Sequence, residues 1–206
     1  MLNNYSKNED GIIYQVNKKP YDYTGEYNTY YKNMGVVGSY TSHLRLGYII
    51  GSIGKVPNSI LDVGYGTGAF LDSCKNCIPR RYGHDISGWN VPEGCGFVEN
   101  ILQNYYDVIT FFDSLEHMEN LEFVKDLQCE YVCISLPWCH YFDDEWFESW
   151  KHRKPNEHLW HFDKDSLCNF MTRMGYEIIN TCNLEDFTRP NHQSYENILT
   201  GIFRKK

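Results

Sequence analysis

Apolar positions along the chain keep two different periods. In "TSHLRLGYIIGSIG", Leu46, Ile49, Ile50 and Ile53 fall at i, i+3, i+4 and i+7, which predicts a helix capped at Thr41 or Ser42 and broken by "KVPN". From Ser59 the apolar runs are short. "SILDVGY" predicts a buried strand, Gly68 to Asn76 a helix, "RRYGHDIS" a second strand and "GFVEN" a weak third. "YDVITFFDS" predicts a strong fourth strand, followed by a helix near "NLEFVKDL" and a fifth strand at "EYVCISLPW". In "HFDKDSLCNFMTRMGY" the helical period returns, with Asp163 as cap, Leu167, Phe170, Met171 and Met174 as stripe, and Gly175 as stop. "YEIINTCNLE" and "ENILTGIFRKK" then close the chain as a hairpin across "DFTRPNHQS".

Strands alternating with helices predict an α/β fold: a doubly wound, mostly parallel seven-stranded sheet, helices on both faces, and a C-terminal antiparallel hairpin. Residues 1–206 read as one domain. An N-terminal cover and helix (1–55) precede a ligand-binding core (59–138), an inserted substrate-side loop (139–161), and a closing helix with hairpin (162–206). Parallel crossovers usually take a dozen residues or more. The links around the third strand are shorter, so that edge of the sheet is expected to be abbreviated.

Composition narrows the class. With 206 residues, 42% of them apolar, the chain has material for one sizeable core. A net charge of −8 argues against a general binder of nucleic acid or of anionic membranes. No run approaches the ~18 apolar residues of a membrane span. "MLNNYSKNEDGIIYQ" lacks the apolar stretch of a signal peptide, so a cytoplasmic location is expected. Cys74 and Cys77 form a C-x-x-C, but no second pair completes a metal site. On a helix they share a face with Phe70 and Leu71, so both are expected to be buried, and no metal is expected. Nine of the seventeen tyrosines lie in the first 48 positions, which suggests an arm that closes over a ligand.

"DVGYGTG" carries the chemistry. A glycine turn after the first strand of a parallel sheet brings backbone close to a ligand at the carboxyl end of the strands. The spacing is G-x-G-x-G, neither the dinucleotide G-x-G-x-x-G nor the phosphate-binding loop with its lysine. Asp85 ends the second strand, where a carboxylate can accept both ribose hydroxyls of a nucleoside. Turn and acid together point to an adenosine-like cofactor.

"ILDVGYGTG", "GHDIS", "YDVITFFDSLEH" and "ISLPW", in that order, resemble class I S-adenosylmethionine-dependent methyltransferases, above all the small-molecule group whose fourth motif ends in L-E-H. The later "EHLWHFDKDSLCNFMTRMGYEI" is similar to that group as well. The resemblance implies S-adenosylmethionine as cofactor. It implies that Asp62, Gly64, Tyr65, Gly66 and Gly68 shape the methionine pocket, and that Asp85 binds the ribose. Ile86 would then pack on the adenine, Glu99 or Asn100 meet its edge, and Asp113 and Ser114 line the methionine side. Asp107, at the start of the fourth strand, is expected to fix a turn.

For transfer to an oxygen or an acidic carbon a base is useful, and His117 in "SLEH" is the candidate. The competing reading is that His117 caps a helix or only positions the substrate, while Glu116 orients a neighbour. His158, His161 and Arg45 are candidates for binding the substrate, a small molecule such as a sugar or aromatic metabolite. On paper His158 and His161 also form a metal cluster with Glu157 and Asp163, against which stands a loop-and-cap arrangement. Trp138, Tyr141, Trp146, Trp150 and Trp160 read as an apolar lid or as the core of a subdomain. Two other functions compete: a non-catalytic module that binds adenosylmethionine or a partner, and a nicotinamide oxidoreductase.

Overall fold

The structure, a computed structural model, describes residues 2–21, 35–190 and 193–206. Most of the tyrosine-rich arm lies outside the described residues.

Strands β1 (Tyr5–Lys7) and β2 (Ile13–Gln15) come first, then helix α1 (Gly35–Ile53). The ligand-binding core follows as β3 (Ser59–Val63), α2 (Ala69–Ser73), β4 (Arg80–His84), β5 (Gly96–Phe97), β6 (Tyr106–Phe112) and β7 (Cys129–Pro137). The chain ends with α3 (Asp144–Ser149), β8 (Trp160–His161), α4 (Lys164–Arg173), β9 (Tyr176–Cys182) and β10 (Ile198–Lys205). Seven strands form the main sheet in the order β5-β4-β3-β6-β7-β10-β9. From β5 to β7 they are parallel, and β10 runs antiparallel to both β7 and β9. This is the predicted architecture. The abbreviated edge is also present, because β5 has two residues and no helix joins it to its neighbours.

Neighbouring side chains on a strand point to opposite faces, and both faces here are apolar. Ile60, Val108 and Cys133 pack with Leu46 and Ile49 of α1 and with Phe70 and Leu71 of α2. On the other face Leu61, Ile109, Phe111 and Val132 pack with Leu167, Phe170 and Met171 of α4. Burial of α4's stripe is helped by its capping box: Asp163 Oδ1 accepts the Ser166 N–H at 2.7 Å and Ser166 Oγ accepts the Asp163 N–H at 3.0 Å. From central β3 the chain winds outward to β5, then returns to β6 on β3's other side. A crevice therefore opens beyond the carboxyl ends of β3 and β6.

Several local expectations change. Helix α1 starts before Thr41 and Ser42, which sit inside it. Ser42 Oγ donates to the Gly38 carbonyl at 2.6 Å and Thr41 Oγ1 to Thr188 Oγ1 at 2.9 Å, so neither hydroxyl caps. The helix expected near "NLEFVKDL" is a 3-10 turn, Glu122–Asp126. Leu121, Val124 and Leu127 are buried at a spacing of three, the period of that tighter helix. α2 ends at Ser73, so Cys74 is buried but Cys77 is exposed; the shared face does not reach it.

The segment 139–161 is more than a loop. Its end, β8, pairs with β2, and β2 with β1, in a three-stranded antiparallel sheet. Tyr5, Ile13, Cys139, Phe147 and Trp150 form that sheet's own small core. Of the two readings of the aromatics, Trp150 supports the subdomain core, while Trp138 and Trp160 pack against the main core. No helix among the described residues is long and apolar enough to cross a membrane.

Candidate active site

The three glycines after β3 share one conformation and differ in their surroundings. Gly64, Gly66 and Gly68 have φ of 81°, 51° and 78°, in the left-handed region where a side chain is strained. A Cβ on Gly64 would stand 2.6 Å from Ser114 Cβ, and one on Gly68 2.2 Å from Pro92 Cγ. Gly66 faces open space, with nothing among the described residues within 4 Å of such a Cβ. Gly64 and Gly68 thus let the turn close against β6 and against the link after β4, while Gly66 leaves bare backbone at the crevice.

Asp85, at the end of β4, holds the rim of that crevice. Its Oδ2 accepts the Gly66 N–H at 2.7 Å, and its Oδ1 accepts the Ser87 N–H at 2.7 Å and the Ser87 hydroxyl as well. A carboxylate has about four acceptor positions, so this one retains capacity for a ligand hydroxyl. Tyr65 is buried and donates its hydroxyl to the Trp89 carbonyl, pinning the turn to the same link. Asp62 is buried below the turn and accepts the Thr110 hydroxyl at 2.6 Å. Burial pushes its carboxyl up to about 6, against the pull of Thr110 and Arg45. Ser114 donates to the Val63 carbonyl at 2.6 Å, tying the end of β6 to the end of β3. Asp107 Oδ2 accepts the Asn58 N–H at 2.6 Å and fixes the turn into β3.

Asp113 follows β6 with a φ of 53° and belongs to a four-charge network. Arg45 Nη2 meets it at 2.9 Å, and Arg189 Nη1 meets both its oxygens at 2.9 Å. Both arginines also hold Glu185, which is fully buried: Arg45 Nε at 2.6 Å and Arg189 Nη1 at 3.0 Å. Ser135 donates to Glu185 at 2.5 Å. The two guanidiniums hold the Asp113 carboxyl well below the usual carboxylate range, although burial acts the other way. Arg45, expected at the substrate, is committed to these two acids and stacks 4.3 Å from the Phe112 ring centroid. Sequence reading missed Glu185 and Arg189, because nothing local marks residues whose partners Arg45 and Asp113 lie 140 and 76 positions away.

Beyond Asp113, a 3-10 turn (Leu115–His117) faces the loop before β8. The Leu159 N–H donates to the Glu116 carbonyl at 2.8 Å, and His117 Nδ1 lies 2.9 Å from the Glu157 carbonyl. His117 and His158 meet edge to face with centroids 4.7 Å apart. Burial keeps both imidazoles below their ordinary pKa, hence neutral at pH 7. Burial, with Asp113's charge next, pushes the Glu116 carboxyl well up. The structure does not gather the metal cluster weighed from sequence. Asp163 caps α4, Glu157 takes the Lys154 ammonium at 3.0 Å, and His161 packs among Tyr5, Phe147 and Trp150. Glu116, His117 and His158 come together instead. Ile86, Glu99 and Asn100 are exposed at the β4–β5 edge, where Asn100 Oδ1 accepts the Leu102 N–H at 3.0 Å.

Residues 43–181 match the methyltransferase-domain family. The chain belongs to that family. S-adenosylmethionine is the cofactor that follows from membership, and the bare Gly66 backbone stands beside Asp85 at the crevice. No curated protein matches the sequence. Among solved structures the methyltransferase is similar to magnesium protoporphyrin IX methyltransferase from Synechocystis PCC 6803, crystallised with bound SAH (S-adenosylhomocysteine). Identity is 16%, coverage is 88% of this chain and 90% of that one, and the TM-score is 0.59. An S-adenosylmethionine-dependent methyltransferase from Clostridium acetobutylicum ATCC 824 matches at 10% identity over 88% and 99%, with a TM-score of 0.57. The cyclase SpnF matches at 13% identity over 78% and 79%, with a TM-score of 0.55. At such identities the likeness concerns the fold, and the same fold carries different chemistry.

Proposed function

We propose that this methyltransferase transfers the methyl group of S-adenosylmethionine to an oxygen or carbon of a small-molecule acceptor. The observation that carries the proposal is the Asp85 carboxylate on the Gly66 amide, inside the segment that matches the family. In this reading Asp85 takes the ribose hydroxyls, and the Gly64–Gly68 turn with Asp62 and Ser114 bounds the methionine end. Ile86, Glu99 and Asn100 stand toward the adenine. Asp113, fixed by two arginines, sets the wall beyond β6.

When bound, the cofactor supplies an electrophilic methyl on a sulfonium, so alignment of the acceptor contributes much of the rate. His117 and His158 sit 41 residues apart in sequence yet share the acceptor side of the turn. The Glu157 carbonyl at Nδ1 places the proton there and the lone pair of His117 on Nε2. Held neutral by burial, that imidazole suits the removal or positioning of an acceptor proton. A net charge of −8 accords with a small acceptor rather than a nucleic acid.

Calorimetric titration with S-adenosylmethionine, S-adenosylhomocysteine and NAD, on wild type and Asp85→Ala, tests this reading. Loss of charged hydrogen bonds to the ribose should weaken adenosyl binding by about 1.5–3 kcal/mol, roughly tenfold or more. Binding of NAD alone, or of no nucleotide, refutes it.

A further inference from the structure

Glu116 presents a problem of its own. Its side chain is buried, and neither carboxyl oxygen has a hydrogen-bond partner among the described residues. Buried polar atoms are otherwise partnered almost without exception, and an unpartnered buried carboxyl is costly. Two imidazoles stand close by. His117 Nε2 lies 3.9 Å from Glu116 Oε1, and one ligand atom each from Glu116, His117 and His158 lies within 4.8 Å of the other two.

The surroundings orient these groups as metal ligands are oriented. The Glu157 carbonyl fixes the His117 ring through Nδ1, the usual outer partner of a ligating histidine. The backbone bond from Leu159 to Glu116 clamps the segment bearing His158 onto the turn bearing the other two. A cation at about 2.1 Å from each donor draws them together through small side-chain rotations. Two imidazoles and one carboxylate suit a first-row transition ion, whereas calcium and magnesium prefer all-oxygen sites.

We propose that Glu116, His117 and His158 bind one divalent first-row transition-metal ion, with its remaining positions turned to the acceptor. Three protein ligands leave such an ion open to an outside oxygen donor. The ion therefore selects an acceptor that offers a hydroxyl. That last step rests on the methyl-transfer reading; the metal site itself does not. With an ion on Nε2, His117 is a ligand, and the cation takes over the lowering of the hydroxyl's pKa.

The probe is Co2+, added to chelator-treated full-length protein and followed by visible absorption and by proton NMR. One Co2+ per chain is expected, with two paramagnetically shifted, exchangeable imidazole N–H signals. Glu116→Gln and His158→Gln should each weaken uptake by about a hundredfold or more, with near-ultraviolet circular dichroism reporting that the fold is kept. No uptake below about 1 mM, roughly 4 kcal/mol of binding, or uptake without the two imidazole signals, overturns the proposal even if a variant fails to fold. Folded variants that bind as wild type overturn it too. Adenosylhomocysteine binding without Co2+ uptake removes the metal site alone, and Co2+ uptake without adenosylhomocysteine binding removes the cofactor reading alone.

Discussion

Arg45 Nη2 lies 2.9 Å from Asp113 Oδ2, joining a helix on one face of the sheet to the residue that follows β6. The same guanidinium holds Glu185, so one side chain links three segments around the crevice. Replacement by Met leaves two carboxylates with one guanidinium, one of them fully buried. Urea unfolding of Arg45→Met should show a loss of about 3–5 kcal/mol. Lys55 and Glu130 are also close, at 2.7 Å, but solvated. Lys55→Ala should cost less than about 1 kcal/mol. Equal losses at the two sites would show that burial does not set the difference.

Asp62 gives a pH signature. Its carboxyl is raised by burial from 3.8 to about 6, so the folded state binds a proton that the unfolded state has released. Stability contributed by this group is therefore lost as pH rises through that window, by up to about 3 kcal/mol. Asp62→Asn keeps an oxygen for the Thr110 hydroxyl and cannot ionise. Unfolding free energies of wild type and variant should diverge in the variant's favour between about pH 4 and about pH 6. Parallel curves would mean that Asp62 titrates normally.

His152 works in the opposite direction. Burial lowers its pKa from 6.5 to about 4, despite its contact with Asn197 Oδ1 at 3.0 Å. A base that is neutral when folded and charged when unfolded gives stability that is lost as pH falls below about 6.5. In His152→Gln that part of the acid sensitivity should disappear. NMR titration of the wild-type ring should show it still neutral at about pH 6; protonation there would contradict the burial argument.

Gly64→Ala should destabilise by more than about 1–2 kcal/mol from its left-handed backbone alone, with the contact to Ser114 added. Ser114→Gly in the same chain removes the atom that lies 2.6 Å away. The double variant should regain the clash component but keep the backbone penalty. Full recovery would show that φ carries no cost, and no recovery that Ser114 was not the obstacle. Thermal melts of the four chains read both terms.

Fold class was legible because burial on both faces of a parallel sheet leaves short apolar runs, and helices restore the longer period between them. The glycine turn and Asp85 were legible because both lie at strand ends, where the ligand crevice of such a sheet must open. Local segments misled where packing overrode propensity. Thr41 and Ser42 have the chemistry of caps, yet one bonds within its helix and the other across to Thr188. The Leu121–Val124–Leu127 spacing suits a 3-10 turn as well as a helix, and only the core decides between them.

Local sequence was enough for the order along the chain of the strands in the main sheet, the glycine turn after β3 and the acid at the end of β4. Each follows from residues within a few positions of one another. Packing across the fold settled that Arg45 serves Asp113 and Glu185, that β2 pairs with β8, and that His158 meets Glu116 and His117. Those contacts join segments dozens of residues apart, and a charge or an imidazole carries no local period that names its partner. Burial selects the partner, since a charge removed from water must be matched by whatever the fold brings to it.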